Sequence, residues 1–496
     1  MFEAAELGST ISKERFKAQV PKLRLALLQA QQQLREQAHF PVIVVFAGVD
    51  GAGKSETVQL LNEWLDPRWL VTRAFGDPSD EEQERPPYWR YWRALPPRGR
   101  IGLILSSWYS PPILDRVYRR ISRGQFEQHL NRIGRFERAL ADDGALILKF
   151  WMHLDKAAQK TRLKALEKDP RRRWRVTKRQ WRHWRMYGKF VAAAESAIQH
   201  TSTGQAPWMI VEGLDERYRS LTIATTILDA IRKRLTESTV PAARGNVRNE
   251  QTMARARTPR PTILERLDMS LKLDKATFLK RLENYQGRLN LLHRKTSALG
   301  ISAVVVFEGW DAAGKGGAVR RATAALDARA WQVIPIAAPT EEERAYHYLW
   351  RFWRHLPRAG VLTIFDRSWY GRVLVERVEG FASPLEWRRA YTEINEFEEQ
   401  LSERGIVVVK CWLHITRDEQ LRRFKERKAS PFKRWKLSDE DWRNRKRWDE
   451  YGLAVNEMIE RTSTRVAPWT IVESNDKYYA RIKVLQTICA GLETAL

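Results

Sequence analysis

Residues 305–316 read VVFEGWDAAGKG, and residues 44–55 read VVFAGVDGAGKS. Each stretch begins with an apolar run, passes through a glycine-rich loop to a lysine, and leads into a helical pattern. In this strand–loop–helix order, backbone N–H groups and a helix N-terminus can surround phosphate oxygens. We therefore predict a phosphate-binding P-loop in each half of the chain, with Lys315 and Lys54 supplying a positive charge.

The similarity of the two halves extends well beyond these loops. Lys315 lies 261 residues after Lys54, and the same spacing joins seven pairs of tryptophans. The pairs are Trp89 and Trp350, Trp92 and Trp353, Trp108 and Trp369, Trp151 and Trp412, Trp174 and Trp435, Trp181 and Trp442, and Trp208 and Trp469. Because tryptophan is rare, so many matches at one spacing indicate a duplicated domain rather than a short solenoid repeat.

The composition changes between the two copies. Residues 236–262 are polar, basic and interrupted by proline, and they lack apolar periodicity, which is typical of a linker. We therefore predict a first P-loop domain over residues 1–235, a linker over residues 236–262, and a second P-loop domain over residues 263–496.

Apolar runs mark the strands of each copy. In the second copy, SAVVVF leads into the loop, and further runs follow at residues 362–365, 406–413 and 469–472. Helical patterns separate these runs. Strands that alternate with helices form a parallel sheet covered by helices on both faces. The predicted class is therefore an α/β P-loop kinase fold, a parallel sheet flanked by helices, duplicated in tandem.

The charge and cysteine content indicate the environment and the partners of the chain. The 496 residues include 87 Lys and Arg against 60 Asp and Glu, which gives a formal net charge of +27. A surplus of this size predicts a polyanionic partner. The two cysteines, Cys411 and Cys489, exclude a disulfide framework. With no long apolar run and no secretory leader, we expect a cytoplasmic protein without a membrane span.

An acidic residue follows one apolar run of the second copy. Asp366 comes directly after LTIF, where P-loop enzymes place a carboxylate that orients magnesium, and Arg367, Arg372 and Arg377 follow it. A strand-end aspartate that is simply paired with a neighbouring arginine is the alternative. The P-loop upstream favours the catalytic interpretation.

The first copy has lost most of these residues. At the equivalent positions it has Leu105, Ser106 and Pro111, and it retains only Arg116. A leucine cannot hold a metal ion, so we predict that the second copy is catalytic and that the first is weak or silent. The hydroxyl that usually follows the P-loop lysine has the opposite distribution, since the first copy has Ser55 and the second has glycine.

Each copy carries a basic, tryptophan-rich segment downstream. Residues 422–451 contain 12 Lys or Arg against 6 acids, and residues 161–190 contain 12 against 2. A solvated helical face or a nucleic-acid patch would have this composition. The position favours a mobile lid in the second copy that brings arginines over the transferring phosphoryl group. In the first copy, holding a polyanion and a purely structural role both stay open. His414 and His153 follow apolar runs, and we interpret them as structural.

The second copy resembles the polyphosphate kinase 2 family. The matching strings are FEGWDAAGKG, HYLWRFWRHLPRAG, IFDRSWYGRVLVERVEGF, KRWKLSDED and APWTIVESNDKYYAR, which occur in this order and cover most of residues 270–490. Two fused domains are similar to the class of this family that phosphorylates AMP to ADP with inorganic polyphosphate as donor. The resemblance implies a thymidylate-kinase-like fold with a helical lid, and dependence on Mg²⁺.

The resemblance also implies a set of site residues. The catalytic residues would be Asp311, Lys315, Asp366, Arg367, Arg372 and Arg377, with Asp311 and Asp366 holding the metal. The phosphate-binding residues would be Gly309, Ala312, Ala313, Gly314, Gly316 and Gly317. The lid residues would be Arg423, Lys425, Arg427 and Lys433.

Two rival functions stay open at this point. The P-loop alone would allow an ATP-dependent nucleotide kinase, although the basic surplus argues against it. A non-enzymatic polyanion- or nucleic-acid-binding protein would explain the charge but not the retained Asp366 and Lys315. The acceptor could be AMP, ADP or a guanine nucleotide, and the duplication is compatible with either a monomer or a homo-oligomer.

Overall fold

The computed structural model describes residues 1–239, 261–432 and 434–496. The chain forms two compact units, one mainly from residues 1–239 and the other mainly from residues 261–496. Of the predicted linker, residues 236–239 end a helix, and residues 240–260 lie outside the described residues. None of the helices in the described ranges is both long and apolar enough to cross a membrane.

The first domain alternates strands with helices. Its strands are β1 (Val42–Gly48), β2 (Leu70–Ala74), β3 (Ile101–Leu105), β4 (Leu146–His153) and β5 (Trp208–Glu212). Its helices are α1 (Lys13–Gln37), α2 (Lys54–Trp64), α3 (Asp80–Gln83), α4 (Trp89–Ala94), α5 (Ser110–Val117), α6 (Arg123–Asp142), α7 (Lys156–Lys168), α8 (Lys178–Arg185), α9 (Tyr187–Thr201) and α10 (Glu216–Thr239).

The second domain repeats this order. Its strands are β6 (Ala303–Gly309), β7 (Trp331–Pro335), β8 (Leu362–Asp366), β9 (Val407–His414) and β10 (Trp469–Glu473). Its helices are α11 (Lys275–Ala298), α12 (Lys315–Thr323), α13 (Glu341–Arg344), α14 (Trp350–Trp353), α15 (Val375–Val378), α16 (Pro384–Glu403), α17 (Arg417–Ala429), α18 (Asp439–Lys446), α19 (Trp448–Thr462) and α20 (Lys477–Glu493).

Both domains contain a five-stranded parallel sheet with the same topology. The strand order is β2–β3–β1–β4–β5 in the first and β7–β8–β6–β9–β10 in the second. The predicted strands and the predicted duplicated α/β fold are confirmed. The edge strands β2 and β7 were not predicted, because short half-buried edge strands lack a continuous apolar run.

The central strand of each sheet places the functional loop. Val304, Val305 and Val306 of β6 have no exposed surface, since the strand is covered on both faces. In β8, Asp366 lies opposite Phe307 of β6 across the ladder. In parallel sheets, ligands bind beyond the carboxyl ends of the strands where the strand order reverses, and β6 is that point here.

A buried ion pair joins β9 to α16 in the second domain. Lys410 Nζ lies 2.7 Å from Glu398 Oε2 and also donates to Tyr370 Oη (2.8 Å) and to the Thr462 carbonyl (2.7 Å). Trp369 Nε1 donates to the other carboxylate oxygen of Glu398 at 3.0 Å. A buried charge pair of this kind persists only when its remaining donors and acceptors are satisfied, as they are here.

Candidate phosphoryl-transfer site

Glycine is required at the start of the second loop. Gly309 has a φ of +150°, and a Cβ atom there would lie 2.4 Å from the Leu413 carbonyl oxygen. Gly314, which precedes α12, has a φ of +112°, and Ala312 adopts a left-handed φ of +65°. Left-handed residues within a turn aim successive N–H groups toward a common centre, and non-glycine residues accept that strain mostly at functional sites.

Lys315 is folded back over the loop. Its Nζ donates to the carbonyl oxygens of Gly309 (2.7 Å) and Trp310 (3.3 Å). Burial lowers the pKa of Lys315, and the negative charges of Asp311 and Asp366 oppose that shift. The lysine is therefore held at the loop by contacts that an incoming phosphate could replace.

Asp311 connects the end of β8 to helix α18 of the predicted lid segment. Its Oδ1 accepts from Arg367 Nη2 at 3.2 Å, and its Oδ2 accepts from Asn444 Nδ2 at 2.9 Å. Arg367 itself has a left-handed φ of +65°. Burial would lower the pKa of Arg367, but the carboxylates of Asp311 and Glu440 outweigh it and raise that pKa.

Glu308 is an acid of this site that the sequence analysis missed. It is 5% exposed at the end of β6, and its Oε1 accepts from Ser368 Oγ at 2.8 Å. Burial raises the pKa of Glu308, and the charge of Lys315 acts in the opposite direction. The signal was available, because the first copy has Ala47 at this place in an otherwise similar motif.

The other two predicted catalytic arginines lie on adjoining helices. Arg372 Nη1 pairs with Glu376 at 2.9 Å, and its guanidinium lies 4.5 Å from the Tyr348 ring centre. Arg377 Nη1 donates to Glu457 at 2.7 Å and to the Tyr391 hydroxyl at 2.9 Å. The structure thus gathers Asp311, Lys315, Asp366 and Arg367 around the loop and holds Arg372 and Arg377 against helices α15, α16 and α19. Their catalytic role stays a prediction.

Arg423, predicted as a lid residue, braces the P-loop from α17. It is 3% exposed and donates to the carbonyl oxygens of Ala312 (2.9 Å), Ala313 (3.1 Å) and Asn475 (2.9 Å). Its side chain therefore shapes the loop from within the fold. The sequence could not show this, because these carbonyls belong to segments 52 to 111 residues away.

Of the other predicted lid residues, Arg427 lines a cavity beside the loop. Lys425 is exposed and Arg427 is half-buried, whereas Lys433 lies outside the described residues. A cavity of about 170 Å³ adjoins the loop, and its lining includes Gly314, Gly317, Arg423, Arg427, Lys477 and Arg481. Several cationic groups at one cavity can neutralise a phosphate chain.

The fold and the site define a P-loop protein of the kinase type. Residues 10–239 and 272–496 both match the polyphosphate kinase 2 (PPK2) family, and the chain belongs to that family. A solved structure from Pseudomonas aeruginosa PA01, described as a polyphosphate kinase 2, superposes with a TM-score of 0.88 at 49% identity. The match covers 100% of this chain and 99% of that one.

Curated relatives fall into two groups by coverage. The polyphosphate:AMP phosphotransferase of Pseudomonas aeruginosa is 51% identical over 497 residues, which cover 100% of this chain and 99% of that protein. The GDP-polyphosphate phosphotransferase of Mycolicibacterium smegmatis is 41% identical over 217 residues, which cover 44% of this chain and 77% of that protein.

Proposed function

We propose that the chain transfers the terminal phosphoryl group of inorganic polyphosphate to AMP and so produces ADP. The observation that carries the proposal is the full-length, two-domain match to a polyphosphate:AMP phosphotransferase. The GDP-polyphosphate phosphotransferase named above matches less than half of the chain. The basic cavity at the second loop supports a polyanionic donor.

The reaction exchanges one phosphoanhydride bond for another. An oxygen of the AMP phosphate bonds to the terminal phosphorus of polyphosphate, and the bond to the bridging oxygen breaks. The shortened polyphosphate leaves with the electron pair. The second ionisation of a phosphate monoester lies near pH 6, so the acceptor is already largely dianionic at neutral pH and needs no strong base.

Repulsion between two polyanions is then the main barrier. Lys315 and Arg367 carry positive charge at the loop, and Arg427, Lys477 and Arg481 line the adjoining cavity. Fixed positive groups in a partly buried site stabilise charge that is spread over the transferring phosphoryl group. We assign catalysis to the second domain because its loop lies beside Asp366, whereas β3 of the first domain ends in Leu105.

The acids of the second domain fit Mg²⁺. Asp311 and Asp366 both act on the charge of Lys315, so two carboxylates lie at one loop. Within the described ranges, no three His, Cys, Asp or Glu side chains come together as a metal site. Mg²⁺ usually takes one or two carboxylates together with water and substrate phosphates, so two carboxylates suffice. When bound, the ion would neutralise charge on the phosphates.

A cytoplasmic location fits the two cysteines. Cys411 and Cys489 are both free and buried, as expected for a reducing compartment. Burial raises the pKa of the Cys411 thiol to about 12, so it stays protonated and unreactive.

One experiment separates the proposal from its rivals. Purified protein is mixed with Mg²⁺ and polyphosphate, and AMP, ADP, GMP or GDP is added to separate samples. The proposal expects ADP from AMP as the fastest reaction, with no transfer when ATP replaces polyphosphate as sole donor. Transfer from ATP alone would favour the nucleotide kinase, and binding without turnover would favour the polyanion-binding protein.

A further inference from the structure

In the first domain, three arginines converge on one carboxylate beside the P-loop. Glu56 is the third residue of α2, the helix that follows the loop. Its carboxylate accepts from Arg162 Nη2 (2.8 and 2.9 Å), Arg175 Nη1 (3.2 Å) and Arg219 Nη2 (2.5 Å). The three arginines come from α7, from a 3₁₀ turn at Arg173–Arg175, and from α10. The geometry is that of several guanidinium groups around one anion.

The guanidinium group of Arg219 packs directly against the P-loop. Its side chain is 1% exposed, and Nη1 donates to the Gly213 carbonyl at 3.0 Å. A Cβ atom on Gly53, the last glycine of the loop, would lie 2.3 Å from the guanidinium carbon of Arg219. A guanidinium buried this deeply needs a negative partner, and Glu56 supplies it.

Glu56 also binds the basic segment of the first domain, which corresponds to the predicted lid of the second. Arg175 belongs to the basic stretch over residues 161–190, and its 3.2 Å contact joins that stretch to the P-loop helix. Arg162 joins α7 to the same carboxylate. Glu56 therefore links α2 to α7, to the 3₁₀ turn and to α10.

The second domain lacks the carboxylate and the most buried arginine of this cluster, whereas Arg423 keeps the position of Arg162. By the 261-residue spacing, Gly317 replaces Glu56 and Ala480 replaces Arg219. A Cβ atom on Gly317 would meet no heavy atom closer than Arg481 Nη2 at 3.6 Å, and Gly317 lines the basic cavity.

The exchange extends to three further cations that line the cavity. The first domain has Leu166, Glu216 and Ser220 at the positions equivalent to Arg427, Lys477 and Arg481. Where the second domain presents cations to a cavity, the first domain has an acid, an alcohol and a leucine. The change of charge and the carboxylate at Glu56 act in the same direction, against an incoming anion.

We propose that Glu56 takes the place of a bound phosphate in the first domain, so that this P-loop is closed to polyphosphate and to nucleotides. The three arginines are paired with Glu56, and the first domain has a structural role and does not bind the phosphate donor. The inference rests on the proposed function only for the identity of the anion.

The test is hydrogen exchange on the full chain with tripolyphosphate as the probe. Peptides that cover residues 44–58 report on the first loop, and peptides that cover residues 305–319 report on the second. In the wild type, tripolyphosphate should protect the second loop alone. In Glu56→Gln, the first loop should also gain protection, with an apparent affinity at least about tenfold above wild type, since charge-assisted bonds become free for the ligand.

The matched control is Glu127→Gln on α6. The carboxylate of this residue is 44% exposed and lies 2.9 Å from Arg123 Nε on the same helix. It changes the net charge by the same amount, so first-loop protection should stay at the wild-type level. First-loop protection in the wild type, or its absence in folded Glu56→Gln, would overturn the inference. Missing protection of the second loop would instead count against the proposed function.

A second variant covers the case in which Glu56→Gln fails to fold. Removing the carboxylate leaves three guanidinium groups uncompensated, which destabilises a partly buried cluster. The double variant Glu56→Gly, Arg219→Ala copies the second domain at both positions and removes the most buried charge. First-loop protection in this variant supports the inference, and a folded double variant without it overturns the inference.

Discussion

The two domains keep the same buried network but differ at the loop that would do chemistry. In the first domain, Lys149 Nζ lies 2.7 Å from Glu137 and 3.0 Å from the Tyr109 hydroxyl. The second domain has the same arrangement with Lys410, Glu398 and Tyr370 in the equivalent places. Beside the loop, by contrast, Leu105 stands where the second domain has Asp366. After duplication, therefore, the residues that stabilise the fold were kept in both domains, whereas residues beside the P-loop were kept in only one.

The two domains share the backbone conformation of the site even where the side chains differ. The residue after the strand end has a left-handed φ in both domains, +49° at Ser106 and +65° at Arg367. The loop aspartate also contacts the same lid helix position in both, since Asp50 lies 2.7 Å from His183 Nδ1 and Asp311 lies 2.9 Å from Asn444. Backbone geometry is fixed by the whole sheet, whereas single side chains can be lost without unfolding it.

The largest expected effect tests what the two domains share. Glu398→Gln and Glu137→Gln each leave a buried lysine without its counter-charge, which should destabilise the affected domain by about 3–5 kcal/mol. Chemical denaturation of the full chain measures this. Glu460→Gln at an exposed position and Glu127→Gln at a half-exposed one are the controls, and they should have little effect. A large loss in only one domain would show that the buried ion pair does not stabilise both domains equally.

The next effect tests what the domains do not share. Asp366→Asn, Asp311→Asn or Lys315→Ala should lower the rate of phosphoryl transfer by about 10²–10³-fold or more, because each removes fixed charge from the second loop. Lys54→Ala should leave most of the rate. ADP formation from AMP and polyphosphate measures both. Equal damage from Lys54→Ala and Lys315→Ala would refute the assignment of catalysis to the second domain.

Acid should weaken the second domain through His414. Burial lowers the pKa of His414 from 6.5 to about 4, and Trp310 Nε1 donates to its Nδ1 at 3.0 Å. The unfolded chain binds a proton between pH 6.5 and pH 4 that the folded domain does not. Stability is therefore complete above pH 6.5 and falls by about 3 kcal/mol as the pH drops to 4.

Denaturation as a function of pH measures this dependence. His414→Gln keeps an acceptor for Trp310 but cannot titrate, so it should flatten the dependence. His153→Gln in the first domain is the matched control and should leave the transition of the second domain unchanged. An unaltered pH slope in His414→Gln would rule out this histidine as the source.

The smallest effect concerns the stacking of helix α19 on the second loop. Trp310 stacks on Trp448 with ring centres 3.8 Å apart and planes 9° from parallel. Trp448→Tyr introduces the residue found at Tyr187 in the first domain and keeps a ring for stacking. We expect a loss of about 1 kcal/mol or less in the free energy of unfolding. A loss as large as that of Glu398→Gln would mean that α19 packs on its loop differently from α9 in the first domain.

The sequence by itself determined the duplication, the P-loops, the buried strands and the domain that retains Asp366. These are local features, since a strand, a glycine turn or a residue after a strand is encoded within a few neighbouring positions. The position of Asp366 next to the loop also followed, because parallel strands end at one edge of the sheet.

The partners of the distant arginines became visible only in the folded structure. Arg162 and Arg219 meet Glu56 from 106 and 163 residues away, and Arg423 reaches the loop carbonyls from 110 and 111 residues away. In the sequence these arginines belong to long basic runs that would equally suit a solvated face. Their partners depend on which helices pack against the central strand. This packing determines whether a basic side chain is available to a substrate phosphate or is paired with a carboxylate of the protein.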